Sequence, residues 1–559
     1  MQPLATTAQM KELDRIAIQE RGIPSLELME HAAAAVAEAV CSCVEEKNSR
    51  IIGGASGLVF VTKDGRTPSE EEQADLDRMR AIVEDKTGTR VAVFCGPGNN
   101  GGDGIAAARI LLAGGYTVRA FLVGDRNKMT PDAKAMEEKL TAAGGMLEPY
   151  NPDDRMTQVW LSTCDAVVDA LFGVGLSRPV SGDSLTAIQW INHLGARCPV
   201  VACDIPSGLH ADTGEVMGAA VKADITVTFS YAKPGLYLSE GRAYSGEVRV
   251  ESIGIPGELG HAMIDRQPER LEVIPEYAHC VLPRRPRTAH KGDFGKAFIL
   301  AGSEGYTGAP VLAAQAAVRV GAGLVFLGVP REIYPIAAVK CDEAMPFPLP
   351  EEYHRILEKA KSCDVALIGP GLGRAPRTED LVLRLLADLE IPVVLDADGI
   401  NAVSGHIDIL DKRSAPTVLT PHDGEFQRLT GCELPILDRV AAAREFAKAH
   451  GCVLVLKGHG TVTAAPDGRV ILNATGNPGM AKGGSGDVLA GMLAGLLGQK
   501  HLNGPYTDLA ERTAVAVWYH GLTGDRCAEE LGEYGMTPTD MIRAIPHVLK
   551  EQEEGNNKF

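Results

Sequence analysis

The sequence predicts an α/β protein with two successive domains, each built on a parallel β-sheet that helices cover on both faces. Across most of the 559 residues, short apolar runs rich in β-branched residues alternate with helical patterns, which is typical of such a sheet. A proline-rich segment over 255–290 interrupts this rhythm and separates two such series. We therefore expect one domain at 1–278 and a second at 279–559.

The individual elements follow from the periodicity of apolar residues. In the first domain we expect strands at 91–95, 118–123, 166–170, 200–204 and 225–229, and helices within 7–44, at 69–84 inside a polar insertion over 45–89, and at 105–112. In the second domain we expect strands at 296–301, 324–329, 365–369, 393–397, 417–420 and 452–457, and helices at 309–320, 438–449 and 488–497.

Composition and charge exclude several classes of function. The chain is 45% hydrophobic and 23% charged with a net charge of −18, and no Lys/Arg-rich run stands out. Nucleic acid and membranes are therefore not expected as partners. The twelve cysteines are scattered without zinc-site or disulfide spacing, and the start of the chain lacks a secretory apolar core. These observations predict a cytoplasmic protein with reduced thiols.

A glycine-rich turn at 479–491 opens directly into an apolar helix. Gly483, Gly484, Ser485 and Gly486 would expose free backbone N–H groups at the positive end of the helix dipole, which is where proteins bind phosphate. Asp487 places a second anion at the same point. It either caps the first turn or acts as a base that takes a proton from a hydroxyl beside a phosphoryl group.

Three loops of the first domain follow predicted strands, where ligands bind in such sheets. They are 96–104, 169–175 and 204–209, and they carry Asn100, Asp169, Asp204 and Ser207 towards one crevice. Oxygen donors of this kind can hold a hard cation. Alternatively, each aspartate simply caps the turn that follows it.

Gly96, Gly98 and Gly101 also spell G-x-G-x-x-G, so a plain dinucleotide-binding dehydrogenase is an alternative for this domain. We disfavour it because Pro97 stiffens the turn and because Asn99, Asn100 and Asp103 crowd the loop with polar groups. A pyrophosphate-binding turn does not need such groups.

The motifs GPGNNGGDG (96–104), DALFGVG (169–175) and DIPSGL (204–209) resemble the N-terminal domain of the bifunctional NAD(P)H-hydrate repair enzymes. The resemblance implies a Rossmann-like, doubly wound epimerase that interconverts the R and S hydrates of NADH and NADPH and uses a potassium ion. It implies that Asp204 is the catalytic acid or base and that Asn100, Asp169 and Ser207 face the ion. The implied hydrate contacts are Asp204 with Asn99, Asn100, Gly101, Gly102, Asp103, Gly173, Val174, Gly175, Leu176, Ser177, Arg178 and Pro179.

The second domain resembles the dehydratase half of the same enzymes over nearly its whole length. The matching stretches include HKGDFGKAFILAGS (290–303), GPGLG (369–373), LDADGIN (395–401), TPHDGEF (420–426), KGHGTV (457–462) and GNPGMAKGGSGDVLAG (476–491). The resemblance implies a ribokinase-like fold, with Asp487 as catalytic base. Implied hydrate contacts are Ala322, Gly373, His422 and Asp487, and implied nucleotide contacts are Lys457, Gly458, His459, Gly460, Thr461, Gly483, Gly484, Ser485 and Gly486.

One departure from the family pattern is Lys482, where a small or hydroxyl residue is usual. This lysine either adds phosphate affinity or points to solvent, and the sequence does not decide between the two.

The resemblance implies a two-step repair reaction. ADP, or ATP in eukaryotic members, phosphorylates the hydroxyl of the S hydrate, and loss of the phosphate restores NADH or NADPH. Potassium and magnesium are the expected ions, and a homo-oligomer is expected. Two alternatives remain open: a ribokinase-type small-molecule kinase fused to a ligand-binding Rossmann-like module, and a first domain that serves as a binding or scaffold module.

Overall fold

The structure, a computed structural model, describes residues 1–50, 74, 77, 78, 81, 88–280, 282–503 and 508–554. The chain divides into two compact units, one formed by Pro3–Gln267 and the other by Met1–Gln2 with Pro268–Phe559. Each unit is an α/β layer structure with its own sheet. In the described ranges, no helix combines the length and the apolar character that crossing a bilayer would require.

The first unit is a doubly wound sheet in which all neighbouring strands run parallel. Its strands, in spatial order, are Leu147–Pro149, Thr117–Leu122, Arg90–Cys95, Ala166–Ala170, Val200–Cys203, Ile225–Phe229 and Glu247–Glu251. The chain changes direction across the sheet between Arg90–Cys95 and Ala166–Ala170. The carboxyl ends of these two strands therefore form the switch point at which such sheets bind ligands.

Helices cover both faces of this sheet. They are Thr7–Arg15, Ser25–Arg50, Asn99–Ala113, Pro131–Ala142, Arg155–Leu161, Asp183–Gly195, Gly241–Ser245 and Gly257–Gly260. Because side chains alternate along a strand, Val91 and Val93 pack in one apolar cluster, whereas Ala92 and Phe94 pack in another on the opposite face. The strand is buried on both sides, which explains its continuous apolar sequence.

The second unit has an eleven-stranded sheet in the described part of the chain. Its spatial order is Gln2–Pro3, Leu271–Ile274, Val470–Asn473, Val462–Ala464, Val453–Leu456, Thr417–Leu419, Val393–Leu395, Val365–Ile368, Lys296–Leu300, Leu324–Val329 and Met345–Pro348. From Val453–Leu456 to Met345–Pro348 the strands are parallel, and Val462–Ala464 pairs antiparallel on both sides. The carboxyl ends of the parallel strands therefore meet at one edge of the sheet.

Helices also cover both faces of the second sheet. They are Gly308–Arg319, Tyr334–Lys340, Tyr353–Lys361, Pro376–Asp388, Asp398–Val403, Asp408–Asp411, Asp423–Thr430, Arg439–Ala449, Ser485–Leu497, Leu509–Gly535 and Pro538–Glu554. The apolar helix Ser485–Leu497 is buried along nearly its whole length. The glycine turn that precedes it is therefore attached to a helix that packing holds in place.

The predicted strands are confirmed to within two residues at each end, but shorter ones were missed. The missed strands include Leu147–Pro149, Glu247–Glu251, Met345–Pro348 and Val462–Ala464, which are too short or too polar to show a clear pattern. The helices expected within 7–44 are confirmed as two helices, because Thr7–Arg15 ends in a π-helical turn at Ile16–Glu20 and a new helix begins at Ser25, just after Pro24. The predicted helix at 69–84 lies largely outside the described residues.

The segment over 255–290, expected to be a linker, contains the strand Leu271–Ile274. This strand pairs in parallel with Val470–Asn473, and Val273 and Ile274 are fully buried. The second unit consequently begins at Pro268, before the expected boundary after residue 278. The proline pattern indicated the break between the units, but it concealed a short apolar strand inside it.

We predict that a fragment 268–559 is clearly more stable than a fragment 279–559. The shorter fragment loses two fully buried aliphatic side chains, each worth about 1.5–3 kcal/mol, and it exposes the edge of Val470–Asn473. We expect its free energy of unfolding to be lower by about 3 kcal/mol or more, measured by urea denaturation of both fragments. Equal stability of the two fragments would contradict the assignment of Leu271–Ile274 to this unit.

Candidate active sites

A pocket of about 770 Å³ lies at the switch point of the first unit. Most of the predicted hydrate-contact residues line it, namely Asn99, Asn100, Asp103, Gly173, Val174, Gly175, Leu176, Ser177, Arg178 and Asp204. The loop after Arg90–Cys95, the loop after Ala166–Ala170 and the end of Val200–Cys203 bring them together. The structure therefore assembles at one place residues that are far apart in sequence.

Three predicted contacts do not line this pocket: Gly101, Gly102 and Pro179. A Cβ at Gly101 would lie 1.8 Å from the carbonyl oxygen of Gly96, and one at Gly102 would lie 2.8 Å from the Sδ of Met29. These two glycines are buried. Gly101 lets the start of helix Asn99–Ala113 approach the backbone after strand Arg90–Cys95, and Gly102 lets it approach Met29 and Ala133 of neighbouring helices. Their side of the loop faces the protein interior rather than the pocket.

Asp169 and Ser207 form a buried polar pair beneath the pocket. The Ser207 backbone N–H donates to Asp169 Oδ2 at 2.7 Å, and the Phe172 N–H donates to Ser207 Oγ at 2.8 Å. Burial raises the pKa of Asp169 to about 6, although hydrogen bonds from Ser207 and Leu171 oppose the rise. Asp169 is therefore a carboxylate that a cation would stabilise.

Asn100 lies beside the loop that holds these residues. Its Oδ1 lies 3.1 Å from the position of a Cβ at Gly173, and its buried Nδ2 makes no hydrogen bond in the described structure. An amide side chain carries an acceptor oxygen and a donor NH2 group, so Asn100 adds both kinds of polar atom beside this loop.

Asp204 binds a buried lysine that sequence reasoning missed. Lys233 Nζ donates to Asp204 Oδ1 at 2.5 Å, and the Lys233 side chain is 1% exposed. Asp204 itself has a positive φ of 67°, a backbone conformation that is costly outside glycine and frequent at functional sites. Lys233 follows strand Ile225–Phe229, and this position at a strand end was the available signal for it.

Asp14 is a second residue that the sequence analysis missed. It lies on helix Thr7–Arg15 and lines the same pocket. Burial raises its pKa to about 6; Lys233 opposes the rise and the charge of Asp204 adds to it. Burial and the neighbouring carboxylates Asp204, Asp14 and Asp132 also raise the pKa of Asp103. The pocket thus combines several carboxyl groups, and two of them are protonated more readily than usual.

In the second unit, Asp487 lies in the first turn of helix Ser485–Leu497, directly after the glycine turn. Burial, followed by the nearby charge of Asp396, raises the pKa of Asp487 to about 7, while Lys457 opposes the rise. Gly484 has a φ of 103°, a left-handed conformation that favours glycine. The turn therefore presents backbone N–H groups beside a carboxyl group that titrates near neutral pH.

Lys457 connects the glycine turn to a buried aspartate. Its Nζ donates to Asp396 Oδ1 at 2.9 Å, lies 3.9 Å from Glu425 Oε2, and is 3.5 Å from the position of a Cβ at Gly486. Burial alone would lower the pKa of Lys457, but Asp396 and Glu425 raise it above the usual value. The ammonium group thus stays charged next to the anion-binding turn. Asp396 and Glu425 were missed because they looked like ordinary strand-end and helix residues.

His520 supports the same turn from below. It is buried, and its Nε2 lies 2.9 Å from the carbonyl oxygen of Ser485, so Nε2 carries the proton that it donates. Burial lowers the pKa of His520 to about 4, which keeps the ring neutral. The buried Ser485 Oγ makes no hydrogen bond in the described structure.

The other predicted residues lie mostly at the same sheet edge. An isolated parallel bridge joins His422 to Lys457, and the Gly373 N–H donates to Asp398 Oδ2 at 2.8 Å. In the 457–461 loop, Thr461 Oγ1 donates to the Gly458 carbonyl at 3.0 Å, which closes the loop over Gly458, His459 and Gly460. Each of these segments follows the carboxyl end of a strand.

Ala322 is not brought to this edge. It precedes strand Leu324–Val329, whose amino end is level with that of Lys296–Leu300, so it lies at the opposite edge of the sheet. Ala309, at the start of helix Gly308–Arg319, does lie at the site edge, since its Cβ is 3.2 Å from the position of a Cβ at Gly371.

The structure gives Lys482, an exposed residue, contacts that neither of the two considered roles describes. Its Nζ donates to the carbonyl oxygens of Tyr534 at 2.8 Å and Met536 at 2.5 Å, at the end of helix Leu509–Gly535. A cation at this position satisfies carbonyl groups that the helix leaves without partners. Lys482 therefore fixes the glycine turn to that helix.

Two family models match the chain in order. Residues 25–235 match the model described as YjeF-related protein N-terminus, and residues 297–547 match the model described as NAD(P)H-hydrate dehydratase. The bifunctional NAD(P)H-hydrate repair enzyme Nnr of Moorella thermoacetica is 37% identical over 564 residues, covering 99% of this chain and 97% of that one. The chain belongs to the bifunctional NAD(P)H-hydrate repair enzyme family. The resemblance inferred from the motifs is confirmed.

Other members of this family are similarly related. The enzyme of Thermofilum pendens is 38% identical with 99% of this chain and 97% of that one covered, and that of Escherichia coli is 38% identical with 83% and 86% covered. Among solved structures, the ADP/ATP-dependent NAD(P)H-hydrate dehydratase of Bacillus subtilis, co-crystallised with ATP and Mg²⁺, has 32% identity and a TM-score of 0.43; the match covers 50% of this chain and 99% of that one. The family matches place an epimerase unit first in this chain and a dehydratase unit second.

We predict that Lys482→Met lowers stability without weakening nucleotide binding. Losing the hydrogen bonds to the helix-end carbonyls should cost about 1–2 kcal/mol in the free energy of unfolding, measured by urea denaturation. The dissociation constant for ADP, measured by calorimetry, should change by less than about twofold, because the ammonium group does not point into the turn. Lys361→Met, at an exposed position, is the control. A tenfold weaker affinity for ADP would show that Lys482 binds phosphate.

Proposed function

We propose that the first unit interconverts the R and S hydrates of NADH and NADPH through Asp204, and that the second unit restores the S hydrate to NADH or NADPH with ADP through Asp487. The observation that carries this proposal is the position of Asp487, whose pKa is raised to about 7 at the start of a helix with an anion-binding glycine turn. A base of this pKa is effective near neutral pH.

In the dehydratase unit, we assign the proton transfer to Asp487. Its carboxylate takes the proton of the hydroxyl on the hydrated ring while that oxygen attacks the terminal phosphorus of ADP, and AMP leaves. The C–O bond to the transferred phosphate then breaks, a proton leaves the neighbouring ring carbon, and the double bond re-forms. The N–H groups of the Gly483–Gly486 turn and the ammonium group of Lys457 stabilise the developing negative charge.

The remaining residues that we assign contact the nucleotide or the hydrate near Asp487. The 457–461 loop and the 483–486 turn flank the nucleotide, and Gly373 and His422 contact the hydrate. Ala309 takes the place that the motif comparison gave to Ala322, because it lies at the same sheet edge as the other residues. Magnesium would be bound chiefly by the nucleotide phosphates, since the described residues include no group of three or more His, Cys, Asp or Glu that could hold a metal.

In the epimerase unit, Asp204 is assigned as the acid and base. Its Oδ1 is occupied by Lys233 and Thr228, and the residue lines the pocket. Asn99, Asn100, Asp103 and the 173–178 segment surround the hydrate. Gly101, Gly102 and Pro179 act on the shape of the loops rather than on the ligand.

Potassium fits the buried pair beneath this pocket. Asp169 is a buried carboxylate whose pKa is raised to about 6, and Asn100 and Ser207 add a neutral amide oxygen and a hydroxyl oxygen. Such oxygen ligands suit a large monovalent cation. When bound, potassium would supply positive charge beneath the 172–173 backbone; the residues that would hold it are Asn100, Asp169 and Ser207.

We predict that Asp204→Asn stops use of the R hydrate and leaves use of the S hydrate intact. With ADP present, wild-type protein should convert both hydrates to reduced nicotinamide, followed by absorbance, whereas without ADP neither should be converted. The variant should convert the S hydrate at the wild-type rate, because Asp487 lies in the other unit. Replacing potassium with sodium should slow R-hydrate use only. A stable phosphorylated product would instead favour a small-molecule kinase.

We predict that Asp487→Asn lowers the dehydration rate by at least about a hundredfold, the usual contribution of a general base. The wild-type rate should rise with pH through about 7, as the base ionises, and the variant should lose this rise. ADP affinity by calorimetry should hold or improve, because a negative charge near the phosphates is removed.

Stability separates a catalytic role of Asp487 from a structural one. Because its pKa is about 7 in the folded protein and near 3.8 ordinarily, ionisation of Asp487 reduces stability as pH rises from about 4 through 7. The asparagine variant should therefore melt at or above the wild-type temperature at pH 8. Loss of turnover together with loss of ADP binding would make Asp487 a structural residue.

A further inference from the structure

The ammonium group of Lys233 is buried beside a substrate pocket. The side chain is 1% exposed, although Lys233 is one of the residues that line the pocket. Withdrawing a lysine from water carries a large cost, and an apolar residue of similar volume often packs as well or better. Stability alone is therefore a poor reason for a lysine at this position.

Among the described residues, the ammonium group donates hydrogen bonds to Asp204 and to two residues of the adjacent strand, Thr228 and Phe229. Nζ donates to Asp204 Oδ1 at 2.5 Å, to Thr228 Oγ1 at 2.9 Å and to the Phe229 carbonyl at 3.3 Å. Thr228 Oγ1 in turn donates to Asp204 Oδ1 at 3.2 Å. Two donors thus converge on one carboxylate oxygen, whereas Oδ2 accepts no hydrogen bond from the residues that the structure describes.

The backbone of Asp204 is fixed as well. Its N–H donates to the Val227 carbonyl at 2.8 Å, and its φ of 67° lies in the left-handed region. A non-glycine residue keeps such a conformation only where its surroundings impose it. With the backbone and Oδ1 both fixed, the direction of Oδ2 is determined.

We propose that Lys233 is a positioning residue for epimerisation: it binds Oδ1 of Asp204 and thereby directs Oδ2 at the hydroxyl of the bound hydrate. This inference rests on the proposed role of Asp204. In the reaction, Oδ2 accepts the hydroxyl proton as the C–O bond becomes a carbonyl and the ring N–C bond breaks with its electron pair on nitrogen. After rotation, the nitrogen attacks the other face of the carbonyl, the N–C bond re-forms, and Oδ2 returns the proton to the oxygen. The ammonium group keeps its three protons throughout.

Other charged groups face the same pocket. Asp14 comes from helix Thr7–Arg15, Asp103 from helix Asn99–Ala113 and Asp132 from helix Pro131–Ala142, and Lys11 and Arg178 add positive charge. The three carboxyl groups would repel Asp204, so a cation in direct contact with Asp204 offsets them where the proton is transferred.

The test compares Lys233→Met with Lys233→Arg in the full-length protein. For Lys233→Met we expect kcat for R-hydrate epimerisation to fall by at least about a hundredfold, with KM changed less than about threefold, because the pocket walls remain. Lys233→Arg keeps a cationic donor and should recover at least about tenfold of this loss. Lys222→Met, at an exposed position of the same unit, should behave as wild type.

Folding is checked separately, by melting and by binding of the hydrate. If Lys233→Met does not fold, Lys233→Gln replaces it, since glutamine keeps a donor and removes the charge. A folded variant without the charge that epimerises at near the wild-type kcat would overturn the proposal. So would a low kcat that Lys233→Arg does not improve although it is folded.

The same measurements distinguish a wrong role for Lys233 from a wrong function for the first unit. If wild-type protein does not epimerise the hydrates, or if Asp204→Asn still does, the proposed function of the first unit is wrong. If Asp204→Asn is inactive while Lys233→Met is normal, only the role of Lys233 is wrong.

Discussion

Both sites depend on a lysine ammonium group that is paired with an aspartate at the carboxyl end of a parallel sheet. Lys233 binds Asp204 at 2.5 Å in the first unit, and Lys457 binds Asp396 at 2.9 Å in the second. These charges are largely withdrawn from water, where a single ion is costly and a paired one is tolerated. Each lysine is paired with its aspartate, and this pairing holds the loops that follow the strands in place. Those loops carry the residues to which we assign catalytic and binding roles.

The two units use this pairing differently. In the epimerase unit the lysine contacts the reactive carboxylate itself. In the dehydratase unit the lysine contacts Asp396, and Asp487 is left with burial and the charge of Asp396, which together raise its pKa to about 7. A base beside an anion-binding turn benefits from such a pKa, because near neutral pH it is neutral part of the time, which favours phosphate binding, and ionised part of the time, as it must be to take the proton.

The sequence predicted the long, buried strands, the two successive units and most residues at the strand ends, because continuous apolar runs and glycine turns are local signals. It did not predict Lys233, Asp14 or Asp396, since their importance comes from partners that are distant in the chain. Lys482 was left undecided for the same reason: its partners, Tyr534 and Met536, lie about fifty residues away. The structure does not place Ala322 at the site, because a motif gives a residue's position in the sequence and does not say at which edge of the sheet the residue lies.

The net charge of −18 means that the protein as a whole has no positive field to attract anionic ligands. A dinucleotide hydrate and ADP are both anionic, so the protein as a whole repels them, and long-range attraction does not help binding. The backbone N–H groups of the glycine turn and the buried ammonium of Lys457 act only over short distances. Binding at this site therefore depends on shape and on direct contact. An anion whose phosphate groups do not match the turn receives no additional affinity from long-range electrostatic attraction.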